Sequence, residues 1–133
     1  MEKKRYGTFF GNERVTKLPF GGDYNPEQWP EEVWEEDMRL FALAGVDCVT
    51  LNTFSWASLQ TDEDTYCFDK LDKIMDLVKK NGLHVILATS TAAHPAWMAR
   101  KYPEVLRTEF SGLRRKFGSR HNSCPNSPVF QMY

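Results

Sequence analysis

Residues 20–51 spell out a strand, a helix and a second strand, and this βαβ unit constrains the fold more than any other feature. The helix is the clearest part. From Glu31 to Ala44 the apolar residues Val33, Trp34, Met38, Phe41 and Ala44 recur at helical spacing, with Glu31, Glu32, Glu35, Glu36 and Arg39 mostly between them. Ahead of it Asn25 is placed as N-cap, Pro26 suits the first helical position and Gln28 can reciprocate the cap. Gly45 supplies a left-handed C-cap. The run Val46–Leu51 that follows is short and largely apolar, as a strand buried on both faces should be. Before the helix, Leu18-Pro19-Phe20-Gly21 is a poor strand on propensity, because Pro and Gly both oppose it; its place in the unit makes it the first strand.

The pattern repeats. After Trp56 comes a loop with Asp62, Glu63 and Asp64, then a second helix with Asp69 as cap and a stripe of Leu71, Ile74, Met75, Leu77 and Val78. Lys79 and Lys80 suit its C-terminal dipole, and Asn81-Gly82 closes it. Leu83–Ala88 is a third buried strand, which places His84 in the core. Strand, helix, strand, helix, strand predicts an α/β fold with parallel strands. Pro95 opens a short helix through Arg100, Pro103 ends it, and Val105 to Phe117 forms a hairpin around Ser111-Gly112. Gly118 to Tyr133, rich in Ser, Asn and Pro, is expected as loop. Residues 1–17 are expected to be a polar leader, with one short extended piece at Thr8–Phe10.

Seventeen basic and eighteen acidic side chains leave a formal charge of −1, which gives no case for nucleic acid or an anionic membrane. Arg114, Arg115, Lys116 and Arg120 form a charge run whose ordinary explanation is a solvated face. No apolar run is long enough to span a bilayer, and no apolar region follows the basic N-terminus as in a secretory signal. Cys48, Cys67 and Cys124 are an odd number without framework spacing, which fits a reduced, cytoplasmic compartment. Aromatics reach 14% with four Trp; core packing accounts for most, and Trp at strand ends also suits the apolar faces of sugars. No Ser-His-Asp order, phosphate loop or His-Glu-x-x-His spacing occurs.

Three blocks carry a resemblance: Gly21-Gly22-Asp23-Tyr24-Asn25-Pro26-Glu27-Gln28-Trp29, Phe54-Ser55-Trp56, and Gly118-Ser119-Arg120 with Cys124-Pro125-Asn126-Ser127-Pro128. Together they resemble the family 42 glycoside hydrolases, β-galactosidases with a (β/α)8 catalytic barrel. The resemblance runs from about Leu18 onward, and implies that residues 18–133 are the N-terminal portion of such a TIM barrel, about three strands with their helices. It also implies a β-galactoside or galacto-oligosaccharide as substrate and, in a completed enzyme, a homo-oligomer, commonly a trimer.

In such barrels the loops after the strand C-termini build the site, here Asp23-Tyr24-Asn25, Asn52 to Trp56 and Thr89 to Trp97. Capping and turn formation account for any one of these residues alone; three strand ends aimed at one mouth favour a site. Arg120 matches the family's Gly-Ser-Arg arginine, which contacts the galactosyl unit beside the cleaved bond. Cys124 matches the first of four cysteines that hold a structural zinc in many members; Cys48 and Cys67 match none, so a zinc site is incomplete here. His94 stands where the family commonly has Pro, and His121 beside Arg120 could line the site or face solvent. Retaining glycosidases need an acid/base and a nucleophile, which the family takes from later strands, so no catalytic residue is assigned and the chain alone is expected to be inactive. The competing expectation is a non-catalytic sugar-binding protein, or one that self-associates through open sheet edges.

Overall fold

The computed structural model describes residues 18–118, 120 and 122–133. The expected leader, its Thr8–Phe10 piece and His121 lie outside the described residues. Three strands, β1 (Gly21–Asp23), β2 (Cys48–Leu51) and β5 (His84–Leu87), form one parallel sheet in the order β1-β2-β5. Between the strands of this sheet run α1 (Trp34–Ala44) and α3 (Asp69–Lys80). The register pairs Gly21 with Cys48 and Asp23 with Thr50, then Cys48 with His84 and Leu51 with Leu87. This is the α/β arrangement of a partial (β/α)8 barrel.

Side chains alternate across the sheet. Val49 and Leu51 enter the helix layer, where they pack with Tyr24, Trp34, Met38, Ile74 and Val78, all buried. α3 docks by the stripe that the spacing predicted, and α1 by Trp34, Met38 and Phe41, whereas Val33 and Ala44 of its expected stripe stay exposed. α1 ends as expected: Gly45 has φ 71°, its N–H bonds the Ala42 carbonyl, and the Val46 N–H reaches back to Phe41 at 3.0 Å. α3 closes the same way at Gly82, φ 73°, with the Leu83 N–H on the Val78 carbonyl.

Several boundaries move for physical reasons. The first strand is Gly21–Asp23 rather than Leu18–Gly21, and Leu18 is exposed. The Phe20 carbonyl accepts from the N–H groups of Asp47 (2.7 Å) and Cys48 (3.3 Å), bringing the two backbones too close for a side chain at position 21. Glu31–Val33 is a 3₁₀ turn leading into α1, and neither Asn25 nor Asp69 caps with its side chain. Asn25 instead accepts the Gln28 N–H through its backbone carbonyl, and Phe68 holds the N-cap position of α3.

The expectation of strands covered on both faces fails for the third. Ile86 and Leu87 are 58% and 53% exposed, and His84 is only half-buried, because three strands cannot close around their own inner face. In the loop after β2 the chain forms a short helix α2 (Trp56–Leu59) and a hairpin of β3 (Gln60–Asp62) with β4 (Thr65–Tyr66). The helix α4 (Ala96–Lys101) appears as predicted, and a 3₁₀ turn follows at Pro103–Val105. The expected hairpin at residues 105–117 is present as a single bridge, Thr108 with Arg114, around Gly112 at φ 83°. The terminal loop contains a helix, α5 (Pro128–Met132). A second core joins these pieces: Trp56, Trp97, Met98 and Val105, with Phe130 and Tyr133 against them. No helix among the described residues is long and apolar enough to cross a membrane.

Candidate functional site

Because β1, β2 and β5 are parallel, their C-termini emerge at one edge, and hydrogen bonds lace those ends together. The Tyr24 N–H donates to the Thr50 carbonyl at 2.9 Å, and the Ala88 N–H to the Leu51 carbonyl at 3.0 Å. β2 then turns sharply at Asn52, whose φ of 70° is left-handed, a conformation asparagine tolerates better than most residues. Asn52 is 8% exposed; its Nδ2 donates to the Ala88 carbonyl, and its own carbonyl accepts from Ser90 Oγ. On the other side Ser55 Oγ donates to Glu27 Oε1 at 2.8 Å. The loop from Asn52 to Ser55 is thus braced to both neighbouring strand ends.

The loop carrying Arg120 folds over this edge. The Arg107 N–H donates to the Asn122 carbonyl and the Cys124 N–H to the Val105 carbonyl, each at 2.7 Å. From the third strand's loop, His94 Nδ1 meets Ser123 Oγ at 2.8 Å, and Phe117 stands edge-on to the His94 ring at 5.4 Å. His94 is 5% exposed, and burial pushes its pKa below the ordinary histidine value. Arg120 itself is exposed, and its Cζ lies 4.3 Å from the centroid of the Phe54 ring. The structure therefore brings Arg120 onto Phe54 and packs His94 against Phe117 and Ser123, on either side of Arg120 in the chain.

Other site candidates go elsewhere. Tyr24 is in the core, edge-on to Phe41 at 4.9 Å, and donates to Asp37 Oδ2 at 2.8 Å; burial, reinforced by that carboxylate, raises its pKa well above the tyrosine range. Trp56 and Trp97 are not surfaces for a sugar. Both are buried, and their indole N–H groups go to Gln60, one to its side-chain oxygen at 2.8 Å and the other to its backbone carbonyl at 2.9 Å. A buried indole needs an acceptor, and Gln60, 2% exposed, gives two. Its role was missed because a lone glutamine in an acidic loop carries no pattern. Within the basic run, Arg115 pairs with Glu109 at 2.5 Å.

Cys124 is half-buried, and its carbonyl accepts the Ser127 N–H. Among the described residues no three His, Cys, Asp or Glu side chains gather as a metal site, so Cys124 finds no partner ligands there. Three of four zinc ligands would have to come from outside these residues.

The β-galactosidase family model matches residues 23–133. The chain is 61% identical over 123 residues to the β-galactosidase BgaA of Planococcus sp. (strain SOS Orange), covering 92% of this chain and 18% of that protein. Among solved structures, the β-galactosidase from Bacillus circulans sp. alkalophilus superposes with a TM-score of 0.85 at 58% identity, over 88% of this chain and 17% of its own. That from Rahnella sp. R3 gives 0.86 at 38% identity, over 90% and 18%. The chain thus spans a little under a fifth of the length of the relatives it matches. It belongs to the family 42 glycoside hydrolases, the β-galactosidases whose catalytic barrel it forms in part.

Proposed function

We propose that this chain contributes one wall of the galactosyl site of a retaining β-galactosidase, which hydrolyses terminal β-D-galactosyl residues from galactosides or galacto-oligosaccharides. The observation that carries the reading is Arg120, held over Phe54 at the edge where all three parallel strands end. Guanidinium donors in a fixed plane suit vicinal hydroxyls, or a carboxylate that must be oriented beside them. An arginine can hold a sugar but can neither protonate a leaving group nor attack an anomeric carbon. The acid/base and nucleophile, two carboxyls about 5–5.5 Å apart in a retaining enzyme, come in this reading from the rest of the barrel. Cys124 is proposed as one ligand of a structural zinc whose other thiolates lie outside these residues. Three free cysteines support a reducing, cytoplasmic setting. Assembly of the complete enzyme as a trimer is part of the same proposal.

The test is a chimera in which this chain replaces the matching segment of the Planococcus enzyme. There Arg120→Ala should lower kcat/KM for a galactoside on the order of 10²-fold, since a charge-assisted hydrogen bond contributes about 1.5–3 kcal/mol. Arg120→Lys should recover little, because the planar fork is lost. Unchanged kinetics in the alanine variant would remove Arg120 from the site.

The exposed Phe20, Ile86 and Leu87 at the sheet edges favour a second reading for the isolated chain, that of a self-associating protein without catalysis.

A further inference from the structure

Arg120 is exposed, in a segment anchored by Asn122, whose Nδ2 donates to the Lys116 carbonyl and whose own carbonyl accepts the Arg107 N–H. A long side chain in that position has large rotamer freedom, and each conformer aims its donors differently. Among the described residues, the face of Phe54 opposes this freedom, 4.3 Å from the guanidinium carbon and well inside cation–π range. Phe54 is itself well placed to be rigid. It lies between Asn52, tied to the loop after β5, and Ser55, tied to Glu27 in the loop after β1. The ring therefore reports the position of all three strand ends to the arginine. Its chemistry matters as much as its place. A carboxylate partner would occupy guanidinium donors, whereas a phenyl ring has no lone pairs and takes up none of them. It attracts the cation through its quadrupole and leaves the N–H groups for hydroxyls.

We propose that Phe54 is a positioning residue for galactosyl binding, fixing the Arg120 guanidinium at the site mouth without consuming its hydrogen-bond donors. This rests on the reading of Arg120 as a galactosyl ligand, and the experiment separates the two. In the chimera with the Planococcus enzyme, five proteins are compared: the parent, Phe54→Leu, Phe54→Trp, Arg120→Ala and the Phe54→Leu/Arg120→Ala double variant. Read-outs are kcat, KM for a chromogenic galactoside, the inhibition constant of free galactose, and the thermal midpoint. Phe54→Leu should raise KM and the galactose inhibition constant about 5-fold, with kcat little changed, the size expected of one cation–π contact. Phe54→Trp should restore both values, since indole presents a stronger face. In the Arg120→Ala background, Phe54→Leu should add nothing, because its effect passes through the arginine. Losses that multiply in the double variant, a neutral Phe54→Leu beside a damaging Arg120→Ala, or failure of Phe54→Trp to rescue would each overturn the positioning role and leave the Arg120 reading intact. A neutral Arg120→Ala would overturn the Arg120 reading and this proposal with it.

Discussion

Gly21→Ala should damage the protein far more than Gly22→Ala one residue later. A Cβ built on Gly21 would overlap the carbonyl oxygen of Cys48 and stand 2.8 Å from its carbonyl carbon, whereas one on Gly22 meets nothing within 4 Å. The obstacle is backbone, so no side-chain rotation relieves it; β1 has to move away from β2. The contacts at risk are the bonds from the Asp47 and Cys48 N–H groups to the Phe20 carbonyl, the Tyr24 N–H to Thr50, and the Phe20 N–H to Asp47 Oδ2 at 3.2 Å. At about 0.5–1.5 kcal/mol net for each, losing most of them costs about 2–4 kcal/mol. That is a large share of a native stability of roughly 5–15 kcal/mol. The assay is urea unfolding of the two variants in the chimera, with galactoside hydrolysis measured at a temperature where both are folded. Gly21→Ala should lower the midpoint clearly, and lower activity too, since β1 carries the Glu27 brace of the Phe54 loop. Gly22→Ala should stay within about 1 kcal/mol of the parent. Equal stability of the two variants would refute the close-approach argument.

The 133-residue chain expressed alone should show no galactoside hydrolysis above a catalytically dead control, and should self-associate or melt without cooperativity, because Ile86, Leu87 and Phe20 meet water at about 1.5–3 kcal/mol per buried aliphatic or aromatic side chain forgone; a monomer by sedimentation with a sharp urea transition would contradict the folding half. The isolated chain should retain no stoichiometric zinc after dialysis against a chelator, having one of the four expected thiolates; metal surviving that dialysis, and lost in Cys124→Ser, would show that Cys124 completes a site with other groups of this chain. His94 should make the chimera acid-sensitive. Its pKa is lowered in the folded state, so the unfolded state binds the extra proton, and stability falls as pH drops below about 6.5, the unfolded value. The thermal midpoint should decline less steeply from pH 7 to 5 in His94→Asn, and identical slopes would assign the acid sensitivity to other groups.

The sequence alone determined the parts of this molecule that depend on local periodicity. The stripes Trp34-Met38-Phe41 and Ile74-Val78 could face only one apolar layer, and they face the sheet. Gly45 and Gly82 marked the helix ends, because a left-handed residue there is cheapest without a Cβ. The ordered blocks from Gly21 to Pro128 carried the family, and with it Arg120 and Cys124 as candidates. Tertiary structure decided what depends on residues distant in the chain. Gly21–Asp23 is a strand only because Cys48 approaches it closely, which local propensity reads as a reason against a strand. Trp56 and Trp97 look like sugar platforms at strand ends until Gln60 takes both indole N–H groups inward. The Pro128–Met132 helix packs on a second core around Val105 and Met98, and the Gln60–Tyr66 hairpin is tied to that core through Gln60; no short window contains it. The pairing of Phe54 with Arg120 spans 66 residues, and only a fold that brings the second strand's end beneath the Arg120 loop can make it. Periodicity records which face of an element is apolar; it does not record which other element will meet that face, and at this site the meeting is the chemistry.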